Sequence, residues 1–116
     1  MTLKLRTIGA DGIVSVASQG AIADQNLLTD NNPFEQLLGS NWAGLRISLD
    51  LSDTPHINSV GLAWLIESQR RFKQAGGRFV VHSVQPTVRQ AMDLLKLDQV
   101  IPLAADEAAA REALKS

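Results

Sequence analysis

Ile57-Asn58-Ser59-Val60-Gly61-Leu62 joins an alternating, strand-like pattern to a helical one. It follows Leu45-Arg46-Ile47-Ser48-Leu49-Asp50-Leu51, in which apolar residues alternate with polar ones. That alternation predicts a strand over 45–51 whose polar face is Arg46, Ser48 and Asp50. The residues after it predict a helix over 62–75 that ends at Gly76-Gly77, a C-terminal cap and turn. Ser59 therefore stands where a strand and loop become a helix. N–H groups at such a point have no intrahelical partners, and the helix dipole favours an anion there. Ser59 is either a helix cap or a residue whose modification would change the local charge.

Outward from this unit, residues 3–8 and 13–17 predict a hairpin around Gly9-Ala10-Asp11-Gly12. A polar, turn-rich stretch covers 18–32. Asn32-Pro33-Phe34-Glu35 carries the marks of a helix start, with an Asn cap and Pro at the first position, and Gly39-Ser40-Asn41 stops that helix early. Residues 78–84 predict a strand, Pro86 opens a helix with Val88, Ala91, Met92 and Leu95 on its apolar face, and 100–103 predict a last edge strand because of Pro102. Asp106 caps a final alanine-rich helix to Leu114. The order β-β-α-β-α-β-α-β-α implies an α/β fold, a mixed sheet flanked by helices, in one domain over 1–116.

The chain has 116 residues, 45% of them apolar, which is enough for one core. Eleven Lys and Arg against twelve Asp and Glu give a net charge of −1, so there is no electrostatic footprint for nucleic acid and no polybasic membrane patch. The absence of cysteine excludes disulfides and thiolate chemistry. No run approaches the roughly 20 apolar residues of a membrane span, and no signal peptide is read at the N-terminus, so a cytoplasmic location is the expectation.

Within the helix that follows Ser59, the core stripe is expected to be Leu62, Leu65, Ile66 and Phe72, with Gln69 as its polar member. Val60 and Trp64 are four apart and fall opposite that stripe. Two apolar side chains beside Ser59 suggest a partner-binding patch. The alternative is that another helix, or the 18–41 segment, covers them. Asp53, His56 and Ser59 do not make a hydrolase set, because they share one loop and lack a nucleophile elbow. His82 is read as a packed strand histidine, two distant histidines do not make a metal site, and the glycines form no phosphate-binding loop, so no cofactor or metal is expected.

Asp50-Leu51-Ser52, Ile57 to Leu62, Ala75-Gly76-Gly77 and Leu94-Leu95-Lys96-Leu97-Asp98 together resemble the STAS domain family, best known from bacterial anti-sigma factor antagonists. The resemblance spans nearly the whole chain and is weakest over 18–41. The family pattern at the helix start is Asp-Ser-Ser-Gly-Leu, and its phosphorylated first serine matches Ser59. The resemblance implies a non-enzymatic regulator that binds an anti-sigma factor with serine kinase activity. Phosphorylation of Ser59 would weaken that binding, and a phosphatase would restore it. Asn58, Ser59, Val60, Gly61 and Trp64 would form the partner-binding surface. The chain departs from the pattern at Asn58, where the family has an acid, and at Val60, where it has a second serine. The other reading is a non-phosphorylated interaction subunit or scaffold of a larger complex, such as a signalling assembly or a lipid transporter.

Overall fold

The alternation of residues 45–51 is realised in the computed structural model, which describes residues 1–28 and 32–115. Strand β3, Arg46–Asp53, is the middle of a five-stranded sheet. On one face Ile47, Leu49 and Leu51 are buried in the main core, and on the other Ser48 and Asp50 are buried among polar neighbours. Strands β1, Thr2–Ile8, and β2, Ile13–Gln19, form the expected hairpin. β2, β3, β4 (Arg78–His82) and β5 (Leu103–Ala104) run parallel, so the order is β1-β2-β3-β4-β5 with one antiparallel pair at the β1 edge.

Helices close both faces. The main core lies under α1 (Pro33–Leu38), α2 (Ser59–Ala75) and α3 (Pro86–Leu94), with Val14, Val16, Phe79 and Val81 facing them from the sheet. On the opposite face α4, Glu107–Lys115, sets Ala110 and Leu114 against Ile13, Val80 and Ala104. Asn32 caps α1, its Oδ1 accepting from the Phe34 N–H at 2.9 Å, and Asp106 accepts from the Ala109 N–H at 2.8 Å at the start of α4. Of the turn-rich stretch, residues 29–31 lie outside the described residues.

Several expectations are corrected. β4 stops at His82, because Ser83 takes a positive φ of 58°. Residues 97–99 form a single 3-10 turn after Lys96 enters the left-handed region, so strand pairing begins only at Leu103 and the strand over 100–103 does not form. Leu95 lies past the end of α3 and is exposed, not part of its apolar face. Ile66 points outward, so the core stripe of α2 is rotated from the expected one and runs through Gly61, Leu62, Trp64, Leu65, Ser68, Gln69 and Phe72.

The rotation follows from what α1 brings across α2. Phe34 stacks on Trp64 at 5.3 Å between ring centroids and on Trp42 at 5.5 Å, and meets Phe72 and Phe79 edge-on. Offset and edge-to-face arrangements of this kind add to the area the rings bury. Five aromatic rings thus tie α1 and α2 to β4, and fix where the N-terminus of α2 emerges.

Candidate functional site at the N-terminus of α2

The loop between β3 and α2 is stitched to residues 20–23. The Gly20 N–H donates to the Asp53 carbonyl at 3.0 Å, the Ile22 N–H to the His56 carbonyl at 3.0 Å, and the Asn58 N–H to the Ile22 carbonyl at 3.2 Å. Ile22 and Ile57 form an isolated parallel bridge. Below the loop, Asp50 Oδ1 accepts from the Ser52 N–H at 2.8 Å and Oδ2 from Arg6 Nη1 at 2.5 Å. Burial opposes ionisation of Asp50, but the Ser52 N–H and hydroxyl and the Arg6 guanidinium outweigh it, so its pKa is held below the ordinary carboxylate value. Gln85 Nε2 donates to the Ser52 carbonyl at 2.6 Å. The loop is therefore braced from three elements.

Asn58 is the N-cap. Its backbone is extended, and its Oδ1 accepts from the Gly61 N–H at 3.0 Å. Its Nδ2 donates to the Ala23 carbonyl at 3.4 Å, a bond that an aspartate could not make. The alternative that Ser59 is the cap is thereby corrected. Ser59 is the first residue of α2, is exposed, and its hydroxyl has no hydrogen-bond partner among the described residues. Its position next to the helix N-terminus favours a negative group.

Gly61 and Trp64 do not belong to an open surface, and both are corrected. A Cβ on Gly61 would collide with the Ile22 carbonyl oxygen and the Ile57 side chain, so only glycine lets α2 lie against the 20–23 segment. Trp64 is 0% exposed, and its Nε1 donates to Asn32 Oδ1 at 3.4 Å. The covered alternative holds for it, with α1 as the cover. Val60 is half-buried and packs against the main core. Asn58 and Ser59 are exposed, and Val60 lies at their border.

Ile66 is exposed and lies two turns along α2 from Ser59, on the same side of the helix. Ser59, Ala63, Ile66 and Arg70 recur at helical spacing on one face of α2. Ile66 is 38% and Leu28 53% exposed, and with Ala63 and Glu67 they line a shallow cleft of about 400 Å³. Glu67 and Arg70 pair across its far end.

His56 and Asp53 are exposed in the loop, and His82 is buried. Burial pushes His82 below the usual imidazole range, outweighing the facing carboxylates of Asp50, Glu107 and Asp106, with Arg6 acting in the same direction as burial. His82 Nδ1 lies 2.8 Å from Ser83 Oγ. Among the described residues no group of three or more His, Asp or Glu side chains could hold a metal, and no helix is long and apolar enough to cross a membrane.

The chain is similar in fold to a candidate anti-sigma factor antagonist from Thermotoga maritima, with 22% identity, a TM-score of 0.82, and 98% of this chain and 95% of that one covered. An anti-sigma factor antagonist from Mycobacterium paratuberculosis is 25% identical with a TM-score of 0.75, over 99% of this chain and 96% of that one. The anti-sigma factor antagonist SpoIIAA in its unphosphorylated form is 14% identical with a TM-score of 0.63, over 99% of each chain. The family model for the STAS domain matches residues 10–110, a span that contains the whole strand, loop and helix unit around Ser59. The chain belongs to the STAS domain family.

Proposed function

We propose that the protein is an anti-sigma factor antagonist that works by reversible binding, with Ser59 as its phosphorylated residue and an anti-sigma factor carrying serine kinase activity as its partner. The observation that carries this reading is the division of labour at the start of α2. Asn58 does the capping, which leaves the Ser59 hydroxyl exposed at the helix N-terminus. A phosphate there adds nearly two negative charges without displacing a capping bond. It would also lie next to the helix dipole in the favourable sense. The modified protein keeps its fold, and the change acts on the partner.

The docking face consists of Asn58, Ser59, the edge of Val60, and the Ala63, Ile66 and Leu28 cleft that follows Ser59 along α2. Its apolar part supplies contact area and its serine supplies the sign of the charge. The similarity to the M. paratuberculosis antagonist supports this partner class. Because Val60 replaces a second serine, phosphate has one hydroxyl to occupy at this point. Incubation with ATP and an extract of the source cells, followed by peptide mass spectrometry, tests the reading. Phosphate on Ser59, absent from Ser59→Ala, is the expected result. Binding of the same partners by wild type and Ser59→Glu alike, with no phosphate on Ser59, would favour the scaffold reading instead.

A further inference from the structure

A second cleft, of about 250 Å³, opens between the ends of α2 and α4. At 1.5 Å per helical residue it lies about 15–20 Å along α2 from Ser59. Its floor is buried and its mouth is not. Gln69, Phe72 and Phe79 line the floor, and Lys73, Arg78 and Pro102 stand exposed at the mouth. Phe72 and Phe79 stack at 5.0 Å between ring centroids, so the apolar wall is an aromatic pair. Gln69 is 7% exposed, and its Oε1 has no hydrogen-bond partner among the described residues. A buried acceptor left without a donor is costly, and a native site that carries one calls for an explanation. Gln69 and Lys73 are four residues apart, so their side chains rise from one face of α2 with Cβ atoms about 5–6 Å apart. The cleft thus sets an unmet acceptor at its floor and an ammonium at its mouth, one helical turn apart, beside an aromatic wall.

We propose that this cleft binds a small aromatic carboxylate that carries a hydroxyl opposite the acid. The hydroxyl donates to Gln69 Oε1, the ring lies against Phe72 and Phe79, and the carboxylate sits at Lys73. Each part of the occupant answers a feature of the site. The hydroxyl supplies the donor that Gln69 Oε1 lacks. A ring gains from offset or edge-on contact with the aromatic pair. An anion is complementary to the Lys73 ammonium, and Arg78 at the same mouth adds positive potential. The cleft is smaller than the roughly 300–1,000 Å³ of sites for drug-sized ligands, which suits a single substituted ring. The site is separate from the Ser59 face and does not depend on the regulatory reading.

The test is a titration of the isotopically labelled protein with 4-hydroxybenzoate, followed by backbone and side-chain amide chemical shifts. Saturable shifts at Lys73, Phe79 and the Gln69 side-chain amide are expected. Benzoate, which lacks the donor, and 4-hydroxybenzamide, which lacks the charge, should each bind roughly tenfold more weakly. Gln69→Leu should abolish the preference for 4-hydroxybenzoate over benzoate, and Lys73→Ala the preference over 4-hydroxybenzamide. Circular dichroism of the variants separates a changed cleft from a lost fold, and the comparison of ligands on the wild type needs no variant. No saturable shifts, shifts confined to residues away from the cleft, equal binding of 4-hydroxybenzoate and benzoate, or a preference that survives in folded Gln69→Leu would overturn the proposal.

Discussion

Replacing Trp64 with alanine removes the side chain that joins α2 to α1. Trp64 is 0% exposed, stacks on Phe34 at 5.3 Å, and donates to Asn32 Oδ1 at 3.4 Å. Deleting a fully buried tryptophan costs about 3–5 kcal/mol from lost transfer energy and the cavity left behind. The stack with Phe34 places Trp64→Ala towards the upper end of that range. The loss of the Nε1 bond adds little, because Asn32 Oδ1 keeps the Phe34 N–H at 2.9 Å. At roughly 4 °C per kcal/mol for a domain of this size, the melting temperature should fall by about 12–20 °C. Thermal unfolding followed by circular dichroism measures this directly, and urea unfolding gives the free energy. A fall of less than about 4 °C, near 1 kcal/mol, would refute the packing described for α1. Ile66→Ser is the matched control. It lies two residues on, is part-exposed, and should change stability by no more than about 0.5 kcal/mol while weakening partner binding.

The cap assignment separates two adjacent residues: Asn58→Ala should cost about 1 kcal/mol in urea unfolding, and Ser59→Ala no more than about 0.5 kcal/mol. Equal losses at both positions would mean that Ser59 caps α2 after all. His82 gives a pH prediction. Its folded pKa lies below its unfolded value of 6.5, so protonation favours the unfolded chain. Stability should therefore decline as pH falls from about 6.5 towards the folded value, and the decline between about pH 7.5 and about pH 5.5 should be shallower in His82→Gln. Asp50 acts in the lower window: with its pKa lowered from 3.8, it contributes stability above that value that is lost as pH falls through the folded pKa.

The parts of the fold that local chemistry dictates were legible in the sequence. The alternation of Leu45 to Leu51 gave β3, Asn32-Pro33 gave the start of α1, and Gly76, with φ of 83°, gave the end of α2. The errors came where distant segments decide. Nothing in the spacing of α2 shows that Phe34 arrives over Trp64, so spacing alone puts Ile66 rather than Trp64 on the core face. Gly61 shows the same limit, because its role is set by the Ile22 carbonyl, 39 positions earlier in the chain. At the other end, Val100, Ile101 and Leu103 have strand-like composition. The Ile101 N–H nonetheless returns to the Leu97 carbonyl at 2.7 Å, which coils the chain before it reaches the sheet. At the candidate site, the position of Ser59 was readable from strand, loop and helix. The choice of Asn58 over Ser59 as the cap was not, because both residue types cap helices well.

On the proposed reading the charge on Ser59 controls partner binding without altering the fold. A quantitative pull-down from lysate of the source cells, with wild type and Ser59→Glu as parallel baits of equal helical circular dichroism, tests it most directly. A kinase-like anti-sigma factor held by the wild type and lost by Ser59→Glu is the expected result. The same factor held equally by both proteins would contradict it.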